Sequence, residues 1–304
     1  MYKRQVRQRV WTAGREIVGV GTYLQAGQGT GRFNLQLTMH DGDGKHTLQQ
    51  ISDGRLAWTR EQIGDEVTLR RVDVGRLDQW VHGSSLTYSA ADADVRQVGL
   101  NDKTGASSIV DDLPPSVRVG AFTEMLEHLS SDYDLRVAAG RLEEQEVWIV
   151  RGSLRSAVRK RMLVDFPDNE WPELCPTEAV VAIAKSNNPE TQFGQGLPIR
   201  IEFWTSPTMA VESSEPPIDV QKKASMDSRD HLRQVEETSG AGATSNRLVS
   251  LIELYSIRSI ASPPIGRFRF DNQDMEVNFT NETDRYLSRY GIRITERQSR
   301  MLRR

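Results

Sequence analysis

Arg32-Phe33-Asn34-Leu35-Gln36-Leu37-Thr38-Met39-His40 decides the fold class, because apolar side chains at 33, 35, 37 and 39 alternate with polar ones at 34, 36 and 38. A period of two is the signature of a strand with one covered face. Directly after it, His40-Asp41-Gly42-Asp43-Gly44-Lys45 is a turn-forming cluster, and extended character resumes over 46–53. The pair reads as a hairpin with a loop longer than two residues. Upstream, 17–25 is a further strand joined through the glycines at 27, 29 and 31; downstream, 56–60 and 66–73 continue the meander. Connections this short require antiparallel pairing, since parallel crossovers need a dozen or more residues.

Helical spacing then takes over. Val74, Leu77, Trp80 and Val81 share one face of a short helix, and Phe122, Met125, Leu126 and Leu129 fall at i, i+3, i+4 and i+7 within 117–129. Strands are predicted again over 133–137, 146–151, 159–165, 178–185, 197–205, 248–260 and 267–270, with a closing helix over 283–290. The strand at 146–151 is apolar on both sides and reads as covered on both faces. Residues 82–116, polar and closed by Pro114-Pro115, and 206–246, rich in Ser, Pro, Gly and charge, read as polar insertions. The second cannot bury enough apolar area to offset its ordering entropy, beyond a short amphipathic helix within 219–237. The expectation is one α+β domain over 1–304.

Composition narrows the function classes. The chain has 304 residues, 37% apolar, with a net charge of −3 and one cysteine. No apolar run reaches the roughly 18–20 residues of a membrane span. Cys175 alone excludes an intrachain disulfide and a multi-cysteine zinc site. Charge is uneven: Lys3, Arg4, Arg7, Arg9 and Arg15 open the chain without an acid, and 280–304 holds seven arginines against three acids. Both basic segments read as arms outside the sheet.

Two segments resemble the bacterial lipoprotein-localisation factors (LolA/LolB-like). Gly31-Arg32-Phe33 followed by Asp53-Gly54-Arg55-Leu56-Ala57-Trp58 is similar to that family's "RF" strand and "DG-x-x-x-W"; Phe268-Arg269-Phe270 and Val277 are similar to its late "F-x-F" strand and the valine after it. The nearest likeness is to large bacterial envelope proteins of that superfamily. The resemblance implies a strongly curved antiparallel sheet, an incomplete β-barrel, with helices lidding its concave face. It also implies a non-enzymatic protein of the periplasm or cell envelope; that location is implied by the resemblance alone, since Met1–Arg9 is basic but is not followed by the apolar stretch of a signal peptide. Phe33, Leu35, Leu37, Met39, Trp58, Phe122, Met125, Leu126, Leu197, Ile199, Ile201 and Phe203 are then the candidates for an apolar concave face binding the acyl chain of a lipid or lipoprotein. The alternative is a structural or protein-interaction envelope module with a filled barrel, no ligand and an envelope protein as partner.

No catalytic, metal or cofactor motif emerges. Asp41-Gly42-Asp43-Gly44 lacks the remaining calcium-loop ligands, with Lys45 and His46 in their place. Gly27–Gly31 leads into a strand and lacks the G-K-[ST] ending of a phosphate loop. The five histidines are scattered, and Cys175 sits between prolines with no histidine partner in view. Asn278-Phe279-Thr280 and Asn281-Glu282-Thr283 fit a glycosylation sequon, but Asn281 or Thr280 reads as the cap of the 283–290 helix. Arg285, Arg289, Arg293 and Arg297 recur every four residues, candidates for peripheral contact with anionic lipid headgroups. No aromatic residue follows Tyr290 to stack on bases, so nucleic acid is not an expected partner.

Overall fold

The structure, a computed structural model, describes residues 1–12, 14–27, 30–42, 44–82, 117–166, 171–206, 246–261, 264–271 and 277–302. The segments read as polar insertions, and the helix expected within 219–237, fall almost wholly outside the described residues. In chain order the strands are β1 (Tyr2–Thr12), β2 (Arg15–Gln25), β3 (Arg32–His40), β4 (Lys45–Asp53), β5 (Leu56–Ile63) and β6 (Glu66–Asp73). They continue as β7 (Tyr133–Leu142), β8 (Gln145–Leu154), β9 (Glu178–Ala184), β10 (Pro198–Thr205), β11 (Arg247–Ser259) and β12 (Phe279–Asn281). The helices are α1 (74–82), α2 (Ala121–Asp132), α3 (Ser156–Leu163), α4 (Thr283–Arg289) and α5 (Glu296–Leu302).

The strands form one sheet in the order β12-β6-β5-β4-β3-β2-β1-β11-β10-β9-β8-β7. It is mostly antiparallel, with β12 joining β6 in parallel. β12 and β7 stand at its two ends, so the sheet is open, and the protein is α+β. The described chain divides into two compact units. One comprises Met1–Leu24, Leu37–Lys45 and Met125–Ala261; the other comprises Gln25–Gln36, His46–Glu124 and Ser262–Arg304.

In the first unit the basic N-terminus is no arm. It is β1, hydrogen-bonded between β2 and β11. The strand was hidden in the sequence by its own charge, yet its three arginines have structural places. Arg7 and Arg9 reach Glu253 at 2.7 and 3.7 Å, and Arg9 also reaches Glu16 at 3.7 Å. Arg4, only 2% exposed, lies over the rings of Tyr2 and Tyr23, 4.8 and 5.0 Å from their centroids, and donates to the Pro198 carbonyl. Cation–π contact and a carbonyl acceptor replace part of the lost hydration.

The strand expected over 159–165 is instead α3 and its C-terminal turn. Ser156-Ala157-Val158-Arg159-Lys160-Arg161-Met162-Leu163 consists largely of strong helix formers, with Val158 as its buried residue. Nor is β8 covered on both faces. Val147 is fully buried, but Trp148 is 46% exposed, because β8 adjoins the terminal strand β7.

Tyr133, buried at the start of β7, donates its hydroxyl to the Pro176 carbonyl at 3.4 Å. Burial, reinforced by the Asp132 carboxylate, pushes its pKa up from 10.0 to about 12. Tyr286 in the second unit is raised for the same reason, with Glu124 beside it. A phenol whose folded pKa lies above its unfolded value contributes stability below pH 10 and loses it as pH rises through the folded value. Urea midpoints are therefore expected to fall between pH 10 and about 12, and less steeply in a Tyr133→Phe variant. Parallel pH curves for the two proteins would contradict the assignment.

In the second unit the core holds Ala57, Val72, Leu77, Val119 and Leu287, so α1, α4 and the lead-in to α2 pack on one face of β5 and β6. Neighbouring residues in a strand point to opposite faces. Trp58 and Arg71, registered opposite each other, therefore lie on the other face, where Trp58 stacks on Phe270 at 5.0 Å and meets Phe279 edge-on at 5.4 Å. The F-x-F segment supplies this second covering, but not as a strand. Ile265–Phe268 is a 3-10 turn entered from Pro264. Phe268 is buried, and Asn34 donates to the Arg267 carbonyl at 2.8 Å. Proline at its entry offers no N–H for a ladder, and the rings gain more by lying on β5 and β6.

Local turn chemistry explains the two sequence motifs that stood out. Asp53 Oδ1 accepts from the Arg55 and Leu56 amides, closing the β4–β5 turn. Asn281 Oδ1 accepts from both the Thr283 amide and hydroxyl, and Thr283 Oγ1 in turn accepts from the Asp73 amide. The sequon is thus an Asx turn leading into α4, with its threonine fully buried; the N-cap position itself is Glu282, which makes no side-chain capping bond, so neither Asn281 nor Thr280 is the cap.

Candidate apolar site

The candidate face is built within the first unit by strand register. Val137 lies opposite Val150, Val150 opposite Val181, Val181 opposite Ile201, Ile201 opposite Ile252, and Ile252 opposite Gln8. Residues directly opposed in a ladder share a face. An apolar rung therefore crosses β7, β8, β9, β10 and β11 before reaching β1. Its cover is graded: Val137 is 63% exposed, Val150 is half-buried, and Ile201 and Ile252 are buried. Val6, Tyr2 and Arg4 share the Gln8 side of β1, and the contact between Arg4 and the Tyr23 ring carries the face onto β2.

Gly19 shares that side of β2 with Tyr23. A Cβ at Gly19 would fall 2.7 Å from Met39 Cγ, so only a glycine lets the flexible Met39 side chain lie across β2. Leu37 packs beside it, with Cδ1 at 3.5 Å from the same point. Leu37 and Ile201 are buried, while Met39, Met125, Leu126, Leu197, Ile199 and Phe203 are half-buried. A one-residue bulge at Ile199 re-aims the start of β10, since the register slips between Pro198 and Arg200. On the opposite side of this part of the sheet, Arg200 and Glu253 are opposed and Glu202 accepts from Arg200 Nε at 2.6 Å and Trp204 Nε1 at 3.0 Å, beside the buried Leu251 and Ala182.

The twelve apolar candidates do not all belong to this unit. Phe33, Leu35, Trp58 and Phe122 fall in the second, where Phe33, Leu35 and Phe122 are buried. Trp58 does not join the helix-covered face even there; it faces the Phe270–Phe279 covering. Sequence reasoning missed Val6, Tyr23, Val150, Val181 and Ile252. For β1 the available signal was the alternation of Tyr2, Arg4 and Val6, which the arginine disguised.

The arginine stripe is interrupted. Arg285 pairs with Glu282 and Arg289 with Glu124 at 2.7 Å. Helical structure stops after Arg289, with Gly291 at φ +75°, and resumes at Glu296. Glu124 also accepts from the Tyr286 hydroxyl and the Gly120 amide, so Arg289 serves a structural cluster.

Burial pushes the Cys175 thiol up, opposite to what a nucleophilic thiolate needs. Among the described residues, no group of three or more His, Cys, Asp or Glu side chains is placed to hold a metal ion. No helix there is long and apolar enough to cross a membrane.

No family model matches the chain. No curated protein matches it either. Among solved structures, it is similar to a DUF1329 family protein from Desulfovibrio piger, with 8% identity over 88% of this chain and 89% of that one, at a TM-score of 0.29. It is also similar to a domain from Vibrio parahaemolyticus named for outer membrane lipoprotein sorting, with 8% identity over 84% of each chain, at a TM-score of 0.26.

Proposed function

We propose that this protein is a non-enzymatic component of the bacterial envelope whose first unit shelters the acyl chain of a lipid or lipoprotein. The observation that carries the reading is the graded apolar face, closed at Ile201 and Ile252 and incompletely covered at Val150, Met39 and Phe203. Half-buried apolar side chains on the face that also holds the core gain from a further apolar body. Each methylene withdrawn from water contributes about 0.8 kcal/mol. A chain of about a dozen contributes about 10 kcal/mol, against which its lost freedom of motion is set, so binding is reversible. Met39 and Met125 suit such a role because unbranched thioethers adapt to chains of different shape.

The test is titration with a dansyl-labelled fatty acid. Emission is expected to rise and saturate with the wild-type protein. Val150→Asp, at a half-buried position, is expected to weaken binding by at least about tenfold while the far-UV spectrum is retained. Equal binding by both proteins, or none by either, overturns the proposal.

A further inference from the structure

The geometry points to β7 as a docking edge for an extended peptide strand that carries an acidic residue flanked by apolar ones. This inference is independent of the acyl-chain reading. Among the described residues β7 is the terminal strand of the sheet, and its ten residues pair with β8 without a register shift. One row of backbone N–H and C=O groups therefore faces outward, a template for another strand. Asp134, Leu135, Arg136, Val137, Ala138 and Ala139 are all exposed in succession, on both faces. Sheet edges are commonly blunted by a bulge, a proline or a short strand, and β7 has none of the three.

The two faces of the edge differ in chemistry. Leu135 and Val137, 42% and 63% exposed, share a face with Trp148 of β8. On the other face Arg136 lies directly opposite Arg151, and both are exposed. Like charges directly opposed across a ladder are destabilising. Among the described residues neither arginine pairs with a carboxylate, and Asp134 on that face is already held by Arg155 at 3.1 Å. A third strand completes both rows. Opposite Arg136 it places a carboxylate, and opposite Leu135 and Val137 it places apolar side chains, so the strand alternates apolar, acidic, apolar. Main-chain hydrogen bonds then supply affinity and the alternating side chains supply specificity. A second copy of this chain fits less well, because it adds another pair of arginines and no free acid.

The probe is a fluorescein-labelled peptide, Thr-Val-Thr-Val-Glu-Val-Thr-Val-Thr, with a control carrying lysine in place of glutamate, each titrated into the full chain. Fluorescence anisotropy is expected to show at least about tenfold preference for the glutamate peptide. Arg136→Glu, on an exposed position, is expected to reverse that preference without altering the melting temperature or fatty-acid binding. Hydrogen exchange is expected to slow at the amides of 134–142 when the glutamate peptide binds. Failure of the glutamate peptide to bind, indifference to its charge, or binding without protection of β7 overturns the inference. So does a concentration-dependent dimer that Val137→Lys abolishes, which would give the edge to a second copy.

Discussion

Ile201→Asp is expected to abolish cooperative folding, whereas Val137→Asp, on the same rung, leaves it intact. Ile201 has no exposed surface and is flanked across the ladder by the buried Val181 and Ile252. A carboxylate there finds no cation along the rung; on the same face Arg4 is held by the Tyr2 and Tyr23 rings and the Pro198 carbonyl, and Lys185 lies over the Trp148 ring. Burying an unpaired charge costs several kcal/mol even after relaxation, and the lost packing adds to it. The sum is comparable with the total stability of a domain, about 5–15 kcal/mol. Val137 is 63% exposed at the sheet edge, where a substitution changes stability by about 0.5 kcal/mol or less. Circular dichroism melting curves check both. A folded Ile201→Asp protein with a near-native transition would show that this face is wetter than described, and loss of folding in Val137→Asp would show that the edge is covered.

Gly120→Ala is the second large effect expected. Gly120 has φ +80°, and a Cβ there would sit 2.6 Å from Phe33 Cζ. The left-handed conformation costs a residue with a side chain about 1 kcal/mol or more. Displacing a buried ring adds about 1–3 kcal/mol of overpacking. The same residue's amide donates to Glu124, which also holds Tyr286 and Arg289, so a shift at Gly120 strains the entry to α2 and its tie to α4. A loss of about 2–4 kcal/mol is expected in urea unfolding. Phe33→Leu should relieve part of it, giving a double variant more stable than the two single losses predict by about 1 kcal/mol. Strict additivity would mean that the ring is not what Gly120 accommodates.

The legible parts of the fold were those where side-chain chemistry and burial agree. The alternation at Phe33, Leu35 and Leu37 became three buried side chains on β3, and the turn-forming cluster after it became the β3–β4 connection, where Asp41 Oδ1 accepts from the Gly44 amide. Asn281 was expected at the helix cap, yet its side chain closes an Asx turn onto Thr283 one residue too early, and Glu282 holds the N-cap position. β1 was illegible because its inward row includes Arg4, whose burial depends on Tyr23 and Pro198, far away in sequence. The 159–165 segment has apolar residues too few to set a period, so helix propensity decided it. Phe268-Arg269-Phe270 alternates like a strand, yet the covering it forms depends on Trp58, two hundred residues earlier.

For the apolar site, the sequence named Leu37, Met39, Ile201 and Phe203, but it could not say which rows share a face. Register supplies that. It joins Ile201 to Val181, Val150 and Val137, and it separates Trp58 from Ala57. A two-residue period locates a face on one strand only; neighbours come from the ladder.

Whether the first unit holds an acyl chain is read by native mass spectrometry of protein purified without detergent. A species heavier by the mass of one lipid is expected, released on collisional activation and depleted in Val150→Asp. A spectrum holding only the polypeptide mass, from protein that also leaves the dansyl fatty acid dark, would contradict it.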